Sequence, residues 1–192
     1  RNFRKPLVIM TPKSLLRHKR CVSTLQEMAV DTSFQRVYGE SEKLAAAAKI
    51  RRIVCCSGKI YYDLLQARED KGVDDVAIIR VEQIYPWPKE TLAREFAKYK
   101  NAELVWCQEE PANMGSWTFV DRRLEYALDG LDIKAKRPVF AGRPPAASPA
   151  TGLMKIHVRE QNQICEWALN APLDQIPQPF RRLSKIGKQA AE

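Results

Sequence analysis

The sequence predicts an α/β fold of three layers, with a mostly parallel sheet of about five strands between helices. Three observations carry that prediction. Short apolar runs of five or six residues recur along the chain, and most are followed by a longer segment with apolar residues at helical spacing. The runs are continuous rather than alternating, as strands covered on both faces require. Turn residues, chiefly proline and glycine, separate the two kinds of segment.

The elements follow in order. PLVIM (6–10) reads as a first buried strand, and a short helix follows from about Pro12, with Thr11 as its N-cap and Pro12 at the first helical position. Residues 21–50 break the rhythm: FQRVYGE (34–40) fits a short extra strand or an extended loop, and SEKLAAAAK (41–49) fits a helix capped by Ser41. RRIVCC (51–56) is the next strand, and GKIYYDLLQARED (58–70) places Ile60, Leu64 and Leu65 on one helical face. VAIIRV (76–81) is a strand, followed by KETLAREFAKYK (89–100) with Leu92, Phe96 and Tyr99 at helical spacing. ELVWC (103–107), the helix SWTFVDRRLEYAL (116–128), the strand RPVFAG (137–142) and a last helix near 155–169 complete the series. From Ala171 the prolines at 172, 177 and 179 forbid a continuous helix, so 171–192 is expected to be an extended basic tail to a single domain over 1–170.

Composition narrows the function classes. The 192 residues supply enough Leu, Ile, Val and aromatic side chains for a sizeable core. The net charge of +9 belongs to the ends, because residues 1–20 hold seven basic residues and no acid, and 179–192 hold four and one. The interior balances 21 basic against 22 acidic residues and lacks zinc-finger spacing, a ribonucleoprotein aromatic motif or a basic heptad, so no nucleic-acid partner is expected. Five cysteines without a Cys-x-x-Cys pair argue for a reducing compartment, and Cys55 and Cys56 are expected to point to opposite faces of their strand. No apolar run reaches the roughly 18 residues that cross a bilayer, and no signal-peptide pattern opens the chain. A start at Arg1 rather than Met suggests a processed product or a piece of something longer.

In an open parallel sheet, ligands gather beyond the carboxyl ends of the strands. Two turns are expected there: TPKSLLR, with Lys13, Ser14 and Arg17 at a helix start, and Ser57-Gly58-Lys59. Both favour an anion, but neither has the glycines of a Walker loop, and Pro12 removes a backbone donor. A plain Thr-Pro helix start with surface cations therefore fits better than a phosphate cradle. Glu109 and Glu110 stand just past a strand end, where consecutive side chains diverge, so a structural role or subunit contact fits them better than paired acid–base work. Cys107 lacks a partner base, since the two histidines, His18 and His157, lie far from it in sequence. The same scarcity of His and Cys spacing argues against a metal site. GRPPAASPATG (142–152) is a stiff small-residue loop, suited to a packing surface or a ligand lip.

Five stretches in this order and spacing, MTPKSLLR, CSGKIYYDL, RVEQIYPWP, VWCQEEPANMGSW and GRPPAASPATG, resemble the carboxy-terminal, transketolase C-terminal-like domain of the decarboxylating subunit of 2-oxoglutarate dehydrogenase complexes. The similarity covers about residues 5–169. It implies a parent enzyme that uses thiamine diphosphate and Mg²⁺ to decarboxylate 2-oxoglutarate in the tricarboxylic acid cycle. It also implies transfer of the succinyl group to a lipoyl acyltransferase, a homodimer partly built on this domain, and a home in the bacterial cytoplasm or mitochondrial matrix. No Gly-Asp-Gly with its following asparagine pair is present, so the cofactor is expected elsewhere in the parent and this piece alone is expected to be inactive. Pro144 and Pro145 depart from the family's usual loop. Acetyl-coenzyme A regulates some bacterial relatives through this domain, which makes Lys13, Ser14 and Arg17, with Arg143 and Lys155, the candidate regulatory anion residues. The competing reading is a free-standing nucleotide- or coenzyme-binding module.

Overall fold

A computed structural model describes residues 2–9 and 11–179. Its contacts divide the chain into two units, the first ending at Phe34.

The first unit holds two 3-10 turns, Lys13–Arg17 and Gln26–Met28. The expected strand over 6–10 is not formed: residues 6–9 have no strand pairing, Leu7 is 82 % exposed and Val8 81 %, and Met10 lies outside the described residues. A continuous apolar run makes a strand only where neighbours cover both its faces, and the described chain supplies none. The helix expected from Pro12 is only a five-residue 3-10 turn, with Pro12 itself as N-cap and no side-chain cap from Thr11. In the second turn Thr24 and Glu27 cap each other: Glu27 N–H donates to Thr24 Oγ1, and Thr24 N–H donates to the Glu27 carboxylate.

The second unit is the predicted three-layer α/β/α fold. Its strands are β1 (Val37–Tyr38), β2 (Arg52–Cys56), β3 (Val76–Val81), β4 (Glu103–Pro111) and β5 (Val139–Arg143). They stand in the order β1-β3-β2-β4-β5, all parallel except β1, which pairs antiparallel with β3 at one edge. Five strands were expected and five are formed, but the fifth is Val37–Tyr38, from the stretch read as extra strand or loop, and not 6–10. The helices are α1 (Ile60–Asp70), α2 (Lys89–Phe96), α3 (Trp117–Leu128) and α4 (Met154–Leu169).

Alternation along the strands makes two cores. Ile53 and Cys55 of β2 face Leu92 and Phe96 of α2 and Val120 and Leu124 of α3 on one side. Val54 and Cys56 face Ile60 and Leu64 of α1 and Ile164 and Ala168 of α4 on the other. Helices on both faces explain why the central strands read as unbroken apolar runs.

SEKLAAAAK forms no α-helix and Ser41 caps none; only Ala47–Lys49 makes a 3-10 turn. Tertiary bonds take its backbone instead, as Ala45 N–H donates to Asp74 O and Asn101 Nδ2 donates to Ala48 O. β4 runs four residues past its predicted end, with an irregular register against β5 between Cys107 and Pro111. Beyond α4 the described tail does not continue as a helix. After the 3-10 turn Leu173–Gln175, Ile176 is buried, and the Gln178 amide accepts from Phe140 N–H and donates to Phe140 O along the free edge of β5. The rest of the expected basic tail, 180–192, lies outside the described residues.

Candidate functional site at the carboxyl edge of the sheet

β2 and β4 are neighbours, yet β2 leads into α1 on one face and β4 leads into α3 on the other. Their carboxyl ends therefore open a crevice of the kind that binds ligands in open α/β sheets. Gly58, with φ +74°, turns the chain from β2 into α1 and brings Lys59 to this edge.

The crevice is filled by the protein's own charges. Lys59 Nζ lies 2.8 Å from both Asp63 Oδ2 and Glu109 Oε1. Gln161 of α4 donates to the same two carboxylates at 2.8 and 2.9 Å. Burial lowers the Lys59 pKa, but the hydrogen bonds that its ammonium donates to Asp63 and Glu109 outweigh it and hold the group above its ordinary value. Arg143, 7 % exposed at the end of β5, donates through Nε to Glu160 at 2.8 Å, through Nη1 to the Glu109 carbonyl, and through Nη2 to Gln161 Oε1 at 3.2 Å. Glu160 also accepts from the Thr151 hydroxyl. Thr151 and Arg143 together hold its carboxyl below the ordinary carboxylate range.

Beside this network the motif QEEPANMG builds a turn around one amide. Gln108, 4 % exposed, accepts from Trp106 Nε1 and Trp117 N–H through Oε1, and its Nε2 donates to the carbonyls of Glu110, Pro111 and Met114. Gly115 sits at φ +63°, where an added Cβ would come within 2.9 Å of Gln108 Nε2. Asn113 then ties this turn to the 142–152 loop: its Nδ2 donates to Ala146 O and its Oδ1 accepts from Ala146 N–H. A Cβ on Gly142 would meet the Phe140 ring at 2.5 Å, so the loop leaves β5 through a gap sized for hydrogen.

The residues singled out from sequence divide accordingly. Glu109 points into the crevice while Glu110 is exposed, so the two do not address one point. Cys107 is fully buried, and that burial drives its thiol well above the ordinary value, the opposite of what a nucleophile needs. Cys55 and Cys56 do face opposite cores. Among the anion residues, Lys13, Ser14 and Arg17 are exposed on the first unit's 3-10 turn, whose five residues offer little of the helix dipole invoked for it. In the second unit Arg143 is a buried brace, and Lys155 lines a shallow depression of about 550 Å³ with Lys71 and Arg159 on the outer face of α4. Gln108, Asn113 and Gln161 were missed from the sequence. A left-handed glycine after a Pro-Ala-Asn turn hints at the first two, whereas Gln161 is one polar helix residue among several.

Among the described residues no group of three His, Cys, Asp or Glu side chains could hold a metal ion, and Lys59 is already committed. No helix among the described residues is long and apolar enough to cross a membrane.

The family model "2-oxoglutarate dehydrogenase C-terminal" matches residues 22–169. The chain is 54 % identical over 177 residues to the 2-oxoglutarate dehydrogenase E1 components of Brucella anthropi and Brucella ovis, and 53 % identical to that of Brucella abortus. Each alignment covers 88 % of this chain and 18 % of the relative, so the chain spans less than one fifth of the length of these curated relatives.

Proposed function

The chain belongs to the 2-oxoglutarate dehydrogenase C-terminal family, and from that premise we propose that it is the non-catalytic C-terminal module of a 2-oxoglutarate dehydrogenase. The parent decarboxylates 2-oxoglutarate with thiamine diphosphate and Mg²⁺ held by its other parts, and passes the succinyl group to the lipoyl arm of a partner acyltransferase. It works as a homodimer in a bacterial cytoplasm or mitochondrial matrix. This chain, taken over 1–170 with 171–192 as its tail, contributes a rigid packing surface within and between subunits. The observation that supports the assignment best is the internal pairing at the sheet's carboxyl edge. Lys59, Asp63, Glu109, Arg143, Glu160 and Gln161 engage one another, which suits a brace better than acid–base chemistry.

The test compares the full-length parent with the isolated 192-residue chain, following 2-oxoglutarate-dependent reduction of an artificial electron acceptor with thiamine diphosphate and Mg²⁺ supplied. Turnover by the full-length enzyme alone is expected. Turnover by the isolated chain, or none by the full-length enzyme, overturns the reading.

The regulatory part of the proposal concerns two separate patches, each titrated on its own with acetyl-coenzyme A by calorimetry. In the first unit Lys13, Ser14 and Arg17 offer exposed cations and a hydroxyl; in the second, Lys155 is exposed at the start of α4, and Arg143 at the end of β5 is paired with Glu160. Lys13→Ala with Arg17→Ala, and Lys155→Ala, are expected to remove the binding heat of their own patch. An absence of heat at millimolar ligand with the unaltered chain overturns this part.

A further inference from the structure

We propose that residues 6–9 are an interior strand of a sheet in the part of the polypeptide that precedes this chain. The first unit is then a strap whose upstream end is folded into another region of the enzyme. The inference rests on the reading of the chain as the C-terminal part of a longer dehydrogenase.

Leu7, Val8 and Ile9 are 82, 81 and 71 % exposed, three successive apolar side chains with nothing over them. Burying apolar side chains is favourable in proportion to the area removed from water, so the uncovered run gives up a large driving force. Isolated surface apolar residues are ordinary, whereas a contiguous uncovered run marks a contact surface. Leu16, Leu25 and Val30, exposed at 76, 80 and 89 %, extend the same character along the unit.

The type of partner follows from the sequence of the run. Apolar residues in succession, two of them β-branched, suit a strand covered on both faces and paired on both edges, which is an interior strand of a parallel sheet. Pro6 is acceptable as the first residue of such a strand, where no ladder donor is needed. The sheet of the second unit is made of five strands, none drawn from 6–9, and its β5 edge is already occupied by Gln178. The family match begins at residue 22, downstream of the run, and the relatives are more than five times longer than the part this chain covers. The missing sheet is therefore sought in the same polypeptide, on the amino-terminal side.

Hydrogen exchange read by mass spectrometry on the peptide spanning residues 2–9 tests this, in the full-length enzyme and in the 192-residue chain. Its amides are expected to exchange at the unstructured rate in the short chain and on the order of 100-fold more slowly in the full-length enzyme. Val8→Asp in the full-length enzyme should abolish that protection, while leaving the thermal midpoint of the short chain unchanged. Fast exchange in both proteins overturns the proposal. So does protection in the short chain that grows with concentration, which would mean pairing between copies. Exchange is read without turnover, so a full-length enzyme lacking 2-oxoglutarate activity would count against the proposed function and leave this measurement intact.

Discussion

Gln108 shows how much one buried polar side chain can organise. Its amide serves two donors and three acceptors of the turn between β4 and α3, so nearly all its hydrogen-bonding capacity is spent on that turn. Removing it strands several buried groups at once, each worth about 1–3 kcal/mol when left unmade. Gln108→Ala is therefore expected to destabilise the domain by about 3 kcal/mol, seen as a lower urea midpoint. An unchanged midpoint would mean the turn holds itself. Arg68 and Glu40 form a second buried node: the carboxylate accepts both guanidinium nitrogens of Arg68 and the Ile78 N–H, which pins the segment before β2 to α1 and β3. Neither role follows from residue type, because glutamine and arginine are mostly surface residues.

Between elements, the boundary groups decide the fit. The carboxyl end of α4 leaves carbonyls without helical donors, and the consecutive arginines at the start of β2, Arg51 and Arg52, supply those donors. Arg52, 2 % exposed, donates to the carbonyls of Trp167, Ala168 and Ala171, while Arg51 donates to that of Leu169. Burial lowers the Arg52 pKa, and the Glu103 carboxylate offsets part of that cost. Nearer the amino end of α4, Glu160 joins the 142–152 loop through Thr151 to β5 through Arg143. Its folded-state pKa is depressed, so it contributes stability above its unfolded value of about 4.3 and loses that contribution as the pH falls through the lower folded value. Thr151→Ala should raise the Glu160 pKa in an NMR titration and shrink the stability difference between pH 6 and pH 3. A Glu160 pKa unmoved by the substitution would show that Arg143 alone sets it. The strands and helices themselves were legible from apolar periodicity, since VAIIRV spans the whole of β3 and the last four helices lie within a few residues of their expected places. The SEKLAAAAK helix was not, because its backbone bonds to distant partners that no local pattern reveals.

For the whole molecule, burial divides the cysteines. Cys21 is exposed, and Cys55, Cys56, Cys107 and Cys165 are buried in the two cores. Burial pushes the Cys165 thiol up to about 12 and the other three in the same direction, so none is a ready thiolate. A thiol reagent should therefore titrate one cysteine in the native chain and five in guanidinium; a fast second thiol in the native chain would show that a core opens. The sequence by itself determined the fold class, the parallel layering and the family, because these depend on apolar period and on motifs whose residues lie close together along the chain. The candidate site was only half legible. Its position beyond the strand ends was readable, but the engagement of Arg143 and Lys59 was not, since their partners lie on elements up to 50 residues away. Tertiary structure alone decided that the crevice between β2 and β4 is filled from within, and that residues 6–9 form no strand pairing among the described residues. A charge or an apolar run in sequence has only a composition; what it touches is fixed when distant segments close on one another.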